Sequence, residues 1–436
     1  MRDLVVTLIV FGSVPFILKR PYVGVLMWAW LAYMNPHRFT WGFAYSLHFS
    51  LIVGVTTVIG FLLSKEPKRF PWTLVTGIWL LFILWMNITT LFALVPDQAW
   101  PEWERAMKIQ FMTFVTMLLI QHRNRLHALI WMIVISLGFF GVKGGIFVLL
   151  TGGQYMVLGP PDSFFEGNTG MGLVLIMIMP LMRYLQLQTE NVWVRRGLGI
   201  SMILTTIAIV GSYSRGSLLG GAAMSLFLWL KSPRKLISGV IIILVSVLLL
   251  AYMPTRWGEK METIRTYKED DSSMGRINAW WFAYNLARNR PFTGGGFNTF
   301  EPNLFWDYAP NPDDFHDAHS IYFEVLGEHG FPGLGLFLAL GILAWRTGTW
   351  IIRTVKSKPE LAWASNLAAM IQASLVGYAA GGAFLGLAYF DLYYHLLAML
   401  VLTRLLVERA LEEEPVAQPQ PEPSTKGQAA VMGSVN

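Results

Sequence analysis

The residue whose type and position best suit acid–base chemistry is His319, in the polar segment 313–320 (DDFHDAHS). An apolar stretch follows directly, so His319 lies where a polar segment enters a predicted membrane helix that Asp317 or Ser320 could cap. An imidazole titrates near neutral pH and suits a general base. A structural hydrogen bond at the membrane surface is the alternative role. His316 and His319, three residues apart, also have the ligand types of a metal site together with the carboxylates at 313, 314 and 317, although acidic loop residues are more often simply solvated.

A second candidate is Arg215, in the short polar turn 211–217 between two apolar stretches. A charge so close to hydrocarbon is costly and needs a partner. Guanidinium groups bind phosphate oxygens through two parallel hydrogen bonds. A snorkelling side chain is the alternative, but such arginines concentrate on the inner side of a membrane, and this turn is predicted outside. The pattern therefore favours phosphate or another anion as the partner of Arg215.

A third group comprises Arg276, Trp280, Arg288 and the run Gly294-Gly295-Gly296. Arg276 and Trp280 are four residues apart, so they share a face if the segment is helical. Arg288 falls within two residues of the same 3.6-residue series. Three glycines permit tight turns or a close approach of two backbones. The stretch predicts a surface helix with basic and aromatic side chains, followed by a glycine-rich loop.

The elements that must position these residues are strongly apolar. Of 436 residues, 54% are hydrophobic and 14% are charged, against roughly 25% charged in soluble domains. Uncharged stretches near the length of a membrane span recur along the chain. We predict an all-α, polytopic integral membrane protein with about 12 transmembrane helices, because one of thirteen candidate segments is short. The thirteen segments are 4–18, 22–34, 45–63, 72–95, 107–120, 126–150, 170–187, 198–211, 217–230, 236–253, 321–352, 363–387 and 390–407.

Basic residues cluster in alternate loops, which the positive-inside rule assigns to the cytoplasm. These loops contain residues 19–20, 65–69, 123–125, 195–196, 231–235, 353–358 and 404–409. We therefore predict four regions: an N-terminal transmembrane bundle (1–253), a large periplasmic loop with short helices and the candidate residues (254–320), C-terminal transmembrane helices (321–411) and a disordered cytoplasmic tail (412–436). The N-terminus is expected to be retained, since no cleavage motif follows its apolar run.

Several function classes are excluded or disfavoured by the sequence. The chain has no cysteine, so disulfides and thiol chemistry are excluded. Its basic residues are scattered over short turns and form no stripe that would indicate nucleic-acid binding. There is neither a Walker loop nor a dinucleotide fingerprint, so an energy source from bound nucleotide is not indicated.

Taken together, these motifs resemble the signature of the O-antigen ligase and O-antigen polymerase superfamily. Ser214-Arg215-Gly216 resembles its S-R-G motif, and the first 150 residues are similar to its O-glycosylation ligase branch, with less specific motifs. Ser320 departs from the pattern, because the family usually has Asn there. The other positions that carry the resemblance are Gly275-Arg276, Trp280, Arg290-Pro291, Gly294 to Phe297, Ala318 to Tyr322, Glu324, Leu326, Glu328, Gly330 and Pro332-Gly333.

The resemblance implies a GT-C-like glycosyltransferase of the bacterial inner membrane with a periplasmic active site and no metal or other cofactor. The donor would be a glycan on undecaprenyl diphosphate, and the acceptor lipid A–core oligosaccharide. A growing glycan (a polymerase) or a protein hydroxyl (an O-oligosaccharyltransferase) are alternative acceptors.

By position in the motifs, His319 would be the general base and Arg215 would bind the diphosphate. Arg288 would be the second cationic contact, with Arg276 behind it. His316, Trp280 and Tyr322 would support the site. A transporter of lipid-linked anions is a third hypothesis, disfavoured because the charges gather on one side of the membrane.

Overall fold

The computed structural model describes residues 1–262 and 271–413, and these residues form helices and connecting segments with no strand. Each of the thirteen predicted apolar segments contains a helix, although some predicted bounds extend a few residues beyond it. The predicted disordered tail, apart from residues 412–413, lies outside the described residues. The helices are α1 (Arg2–Lys19), α2 (Tyr22–Met34), α3 (Phe49–Leu63), α4 (Leu74–Leu91), α5 (Pro96–Leu119), α6 (Arg123–Thr151), α7 (Asn168–Gln188), α8 (Val192–Val210), α9 (Arg215–Lys231), α10 (Lys235–Tyr252), α11 (Thr255–Glu262), α12 (Asp271–Asn289), α13 (Pro302–Tyr308), α14 (Ile321–Thr354), α15 (Ala362–Gly381) and α16 (Asp391–Glu412).

Seven helical segments among the described residues are long and apolar enough to cross a membrane. They are α4, α6, α7, α8, α10, α14 and the segment Pro359–Phe384, which contains α15. The helices α2 and α3 are apolar but shorter. The chain is therefore a polytopic helical membrane protein, and a total of about 12 crossings stays a prediction.

One end of the helix bundle collects basic segments that the positive-inside rule assigned to the same side. Arg125 forms a bidentate ion pair with Glu66, in which Nη1 donates to Oε2 at 2.6 Å and Nη2 donates to Oε1 at 2.8 Å. Arg409, near the end of α16, donates to the side-chain oxygen of Gln121 at 3.0 Å. Loops far apart in sequence thus meet at this end, in agreement with the alternation of basic loops along the chain.

The helices differ greatly in burial. In α7 most residues are buried, and this helix packs against α6, α8, α9 and α15. By contrast, every residue of α10 is exposed or half-buried, and α10 lies along α9 at the edge of the bundle. The space between α8, α9 and α10 is consequently an open apolar groove.

Helix α14 is interrupted at Gly330, whose backbone has φ 66° and ψ −170°. This break leaves carbonyls without partners inside the helix, and the glycine-rich run supplies them. The amides of Gly295 and Gly296 donate to the carbonyls of Gly327 and Glu328, each at 2.8 Å. Gly296 has φ 85°, which side chains other than hydrogen rarely allow. The three glycines thus provide the close backbone approach that their composition permits.

Candidate active site at the start of α14

His319 is half-buried in the short segment before α14, and its φ of 41° lies in the left-handed region. That conformation is uncommon for a residue with a side chain and requires support from its surroundings. The indole nitrogen of Trp280 donates to the carbonyl of Ala318 at 2.8 Å. The amide of Ala318 donates to Asp317 Oδ1, also at 2.8 Å. The first bond fixes the peptide unit that precedes His319, and the second fixes the peptide unit before that one.

Trp280 also contacts two other elements through its ring. Its ring stacks on Phe323, with centroids 5.0 Å apart and planes 8° from parallel. On another side its ring lies 6.1 Å from that of Phe384. The indole therefore joins α12 to the first turn of α14 and to the 3₁₀ helix Gly382–Phe384.

Asn278, two residues before Trp280 on α12, holds the rest of the segment in place. Its amide nitrogen donates to the carbonyls of Asn311 and Asp314, at 2.7 and 2.8 Å. Its amide oxygen accepts from the backbone nitrogen of Asn311 at 2.9 Å. Sequence reasoning missed this role, because a single asparagine between Arg276 and Trp280 carries no motif of its own.

His316 packs against α12 at a glycine. A Cβ added to Gly275 would overlap the imidazole of His316, so only glycine allows the ring to lie there. His316 Nδ1 is 3.1 Å from Asp314 Oδ1. The Gly275-Arg276 pair of the motif therefore places a histidine beside an arginine.

The electrostatics of His319 show which candidates the fold brings together. Burial lowers the pKa of its imidazole, and the charges of Arg276 and His316 lower it further, while the Asp317 carboxylate acts in the opposite direction. The imidazole therefore stays neutral at neutral pH. A neutral imidazole is the form that can accept a proton.

Arg215 is the first residue of α9, and Ser214 caps this helix by accepting from the amide of Ser217 at 3.1 Å. A Cβ added to the next residue, Gly216, would lie 3.1 Å from Phe384 Cβ. Since Phe384 also neighbours Trp280, α9 begins beside the same group of side chains that holds the His319 segment.

Arg288 lies away from the segment that contains His319. It is exposed in the last turn of α12, twelve residues from Arg276, which corresponds to about 18 Å along the helix axis. Of the two arginines on α12, Arg276 is the one close enough to influence His319.

Tyr322 is held against α15, because its hydroxyl donates to the carbonyl of Ala379 at 2.9 Å. The expectation that Asp317 or Ser320 caps α14 is wrong. Ser320 occupies the N-cap position, but among the described residues its hydroxyl makes no capping hydrogen bond. The Asp317 carboxylate binds the amide of Ala318, which lies before the helix.

Two glutamates of α14 fasten the connection between α15 and α16 over the site. Glu324 accepts from the backbone nitrogen of Ala388 at 3.1 Å. Glu328 accepts from the hydroxyl of Tyr389 at 2.5 Å and from the amide of Asn298 at 2.7 Å. These residues thus link two connecting segments, the one between α15 and α16 and the glycine-rich loop, to the short helix that follows His319.

Within residues 1–262 and 271–413, no group of three or more His, Asp or Glu side chains is arranged to hold a metal ion. His316 and Asp314 remain a pair. The arrangement combines a neutral histidine with arginines, which suits proton abstraction next to a bound anion.

The fold and the site define a multi-pass helical membrane protein with histidine and arginine side chains gathered at one end of its bundle. Residues 200–338 match the family model described as O-antigen ligase, so this part of the chain is a domain of the O-antigen ligase and polymerase superfamily. This range includes Arg215, Arg276 and His319. A second model, described as a family of unknown function (DUF5935), matches residues 1–190. The search of curated proteins found no match to the chain.

Proposed function

We propose that the protein is an O-antigen ligase that transfers a glycan from undecaprenyl diphosphate to lipid A–core oligosaccharide at the periplasmic face of the inner membrane. The observation that carries the proposal is the half-buried His319 before α14, whose pKa responds to the charges of Asp317 and Arg276, within the part of the chain that matches the ligase family. Ligase or polymerase chemistry is the activity that this family implies.

The proposed reaction is an in-line displacement at C1 of the donor sugar. The bond between C1 and the diphosphate oxygen breaks, and its electron pair leaves with the diphosphate. Arg215 and Arg276 neutralise the charge that develops on this leaving group. His319 takes the proton of the acceptor hydroxyl as the new bond to C1 forms on the opposite face. The product therefore has inverted configuration at C1.

A lipid-linked donor also needs space for its chain, and the groove between α8, α9 and α10 supports this part of the proposal. The groove has a volume of about 750 Å³ and apolar walls. Ser217, two residues after Arg215, lines one end, and Trp229 lines the other, about 18 Å further along α9. A prenyl chain in this groove would leave its diphosphate beside Arg215.

Filling the groove should weaken donor binding. Ala222 lines it, whereas Leu219 is exposed on α9 and lies outside the lining. We expect Ala222→Phe to raise the KM for the lipid-linked donor roughly four- to fifteen-fold, since each lost methylene contact is worth about 0.8 kcal/mol. Leu219→Phe is the matched control and should leave KM unchanged. Equal KM values for the two variants would remove the groove from the proposal.

The acid limb of the pH–rate profile should report His319. Because the base works only when neutral, activity falls as the pH drops through its pKa, which lies below the ordinary 6.5. Arg276→Gln removes a positive charge, so the pKa of His319 rises and the limb moves to higher pH. Asp317→Asn keeps an oxygen for the Ala318 amide but removes a negative charge, so the limb moves to lower pH. Profiles of kcat/KM that move in the same direction would contradict this assignment.

The acceptor is tested directly with purified full-length protein in nanodiscs. The undecaprenyl-diphosphate glycan is offered with lipid A–core, with a second copy of the glycan, or with an unfolded acceptor protein, with and without EDTA. Transfer to lipid A–core that persists in EDTA is the expected result. Transfer only to glycan or to protein would instead establish a polymerase or a protein O-oligosaccharyltransferase with the same donor.

A further inference from the structure

A second cavity lies in the first 190 residues, away from His319. It has a volume of about 640 Å³, is open on one side, and is bordered by the 3₁₀ helix Pro36–Phe39, by α3 and by α5. This volume is within the range of small-molecule and lipid sites. The 3₁₀ helix that borders the cavity follows Tyr33, whose hydroxyl lies 2.8 Å from His395 Nδ1 in the first turns of α16. Helix α16 follows the segment that Glu324 and Glu328 bind, so the polar side of the cavity lies at the same end of the bundle as His319.

The polar end of the cavity is formed by His37, Arg38 and Lys108. His37 Nδ1 and Arg38 Nε are buried, and neither makes a hydrogen bond within the described part of the chain. Burial, followed by the charge of Arg38, lowers the pKa of His37 to about 4, so His37 is a neutral hydrogen-bonding group at neutral pH. Two cationic side chains, Arg38 and Lys108, therefore line the same cavity, and the two buried nitrogens of His37 and Arg38 belong to residues of its wall.

Each cation has one carboxylate nearby. Arg38 Nη1 lies 3.0 Å from Asp162 Oδ2, and Lys108 Nζ lies 2.5 Å from Glu104 Oε1. Glu104 and Asp162 are both more than half exposed, and such surface pairs contribute little to stability. A phosphate group can therefore compete for both cations, and the remaining donors of Arg38 allow it to bind a second anion together with Asp162.

The opposite end of the cavity is apolar. Leu51, Val55 and Ile59 line it from α3, and their spacing of four residues places them on one face of this helix. All three are exposed, at 58%, 49% and 45% of their surface. They extend the cavity by about 12 Å along the helix axis. The site thus changes from cationic to apolar in the direction in which α3 enters the bundle.

We propose that this cavity binds a phospholipid of the bilayer that carries a net negative charge. Its phosphate would bind Arg38 and Lys108, with His37 as a neutral hydrogen-bonding partner, and its acyl chain would lie along Leu51, Val55 and Ile59. The two cations favour an anionic headgroup over a zwitterionic or neutral one. The apolar wall favours a ligand with an acyl chain over a free inorganic anion. The inference stands independently of the proposed transferase activity.

The test titrates the full-length protein, in a nonionic detergent, with dioctanoyl phosphatidylglycerol, dioctanoyl phosphatidylcholine and inorganic phosphate, and measures Kd by native mass spectrometry. Phosphatidylglycerol should bind roughly tenfold more tightly than phosphatidylcholine, as expected for one additional charge-assisted contact. Lys108→Gln should weaken phosphatidylglycerol binding by a similar factor. Val55→Trp should weaken the binding of both lipids, because it fills the apolar end. Lys235→Gln, an exposed lysine at the start of α10, is the matched control and should have no effect.

Two results would overturn the proposal. One is unchanged phosphatidylglycerol binding in both Lys108→Gln and Val55→Trp, provided that each variant retains the Tm of the wild type. The other is binding of inorganic phosphate as tight as that of phosphatidylglycerol, which would define an anion site without a lipid.

Discussion

His319→Ala should reduce the rate of glycan transfer by roughly 10²- to 10⁴-fold, the usual contribution of a general base. The acceptor hydroxyl would then lose its proton only to water. Donor binding should persist, because the proposed diphosphate contacts come from Arg215 and Arg276. The measurement is the single-turnover rate with saturating donor and acceptor, together with the Kd of the donor.

His319→Asn separates lost chemistry from backbone strain. Asparagine tolerates the left-handed conformation that His319 adopts with φ 41°, but it cannot act as a base. It should therefore be as inactive as His319→Ala while unfolding at the temperature of the wild type. His316→Ala, which removes a neighbouring histidine of the same segment, should retain most of the activity. Near-normal transfer by His319→Asn would disprove the role assigned to His319.

Arg215→Ala should lower kcat by roughly 10²- to 10³-fold, because it removes one of the groups that stabilise the negative charge developing on the diphosphate. The helix should still form, because its cap is supplied by Ser214 and not by Arg215. Arg215→Lys keeps the charge but loses two-pronged binding of a phosphate, so it should recover only part of the rate. Single-turnover rates of the three proteins give the comparison.

Arg288 provides the matched control for this prediction. It also lies within residues 200–338, which match the O-antigen ligase family model. It is exposed at the end of α12, about 18 Å along the helix from Arg276. Arg288→Ala should therefore cost much less than Arg215→Ala or Arg276→Ala. A larger loss of activity from Arg288→Ala than from Arg276→Ala would contradict this prediction. It would instead support the expectation from the motif, in which Arg288 is the second cationic contact of the diphosphate.

Apolar helices were predictable from the sequence where hydropathy alone determines them. The short segment Tyr22–Met34 has the same bounds in the prediction and in the structure. Helix α5, however, begins at Pro96 and not near residue 107. Its first turns contain Asp97 and Glu102, which hide the helix from a search for apolar runs, although proline at the first position is a regular helix start.

The types of the site residues were readable, but their contacts were not. Trp280 and Ala318 are 38 residues apart, and Glu328 and Tyr389 are 61 residues apart; no local pattern joins such positions. The exposed position of Arg288 at the end of α12 could not be predicted from the sequence either. A tolerance of two residues in a 3.6-residue series amounts to about half a turn, so the periodicity could not decide which face of α12 it occupies.

The interruption of α14 has a consequence for the way in which the protein meets membranes of different thickness. An uninterrupted helix of 34 residues would be about 51 Å long, against about 30 Å of hydrocarbon. Helices adapt to a thicker or thinner bilayer by tilting. The break at Gly330 allows the longer part to tilt, while the hydrogen bonds from Gly295 and Gly296 keep the first nine residues aligned with the loop. We therefore expect hydrophobic mismatch to change the tilt of the part of α14 after Gly330 and to leave the surroundings of His319 unchanged.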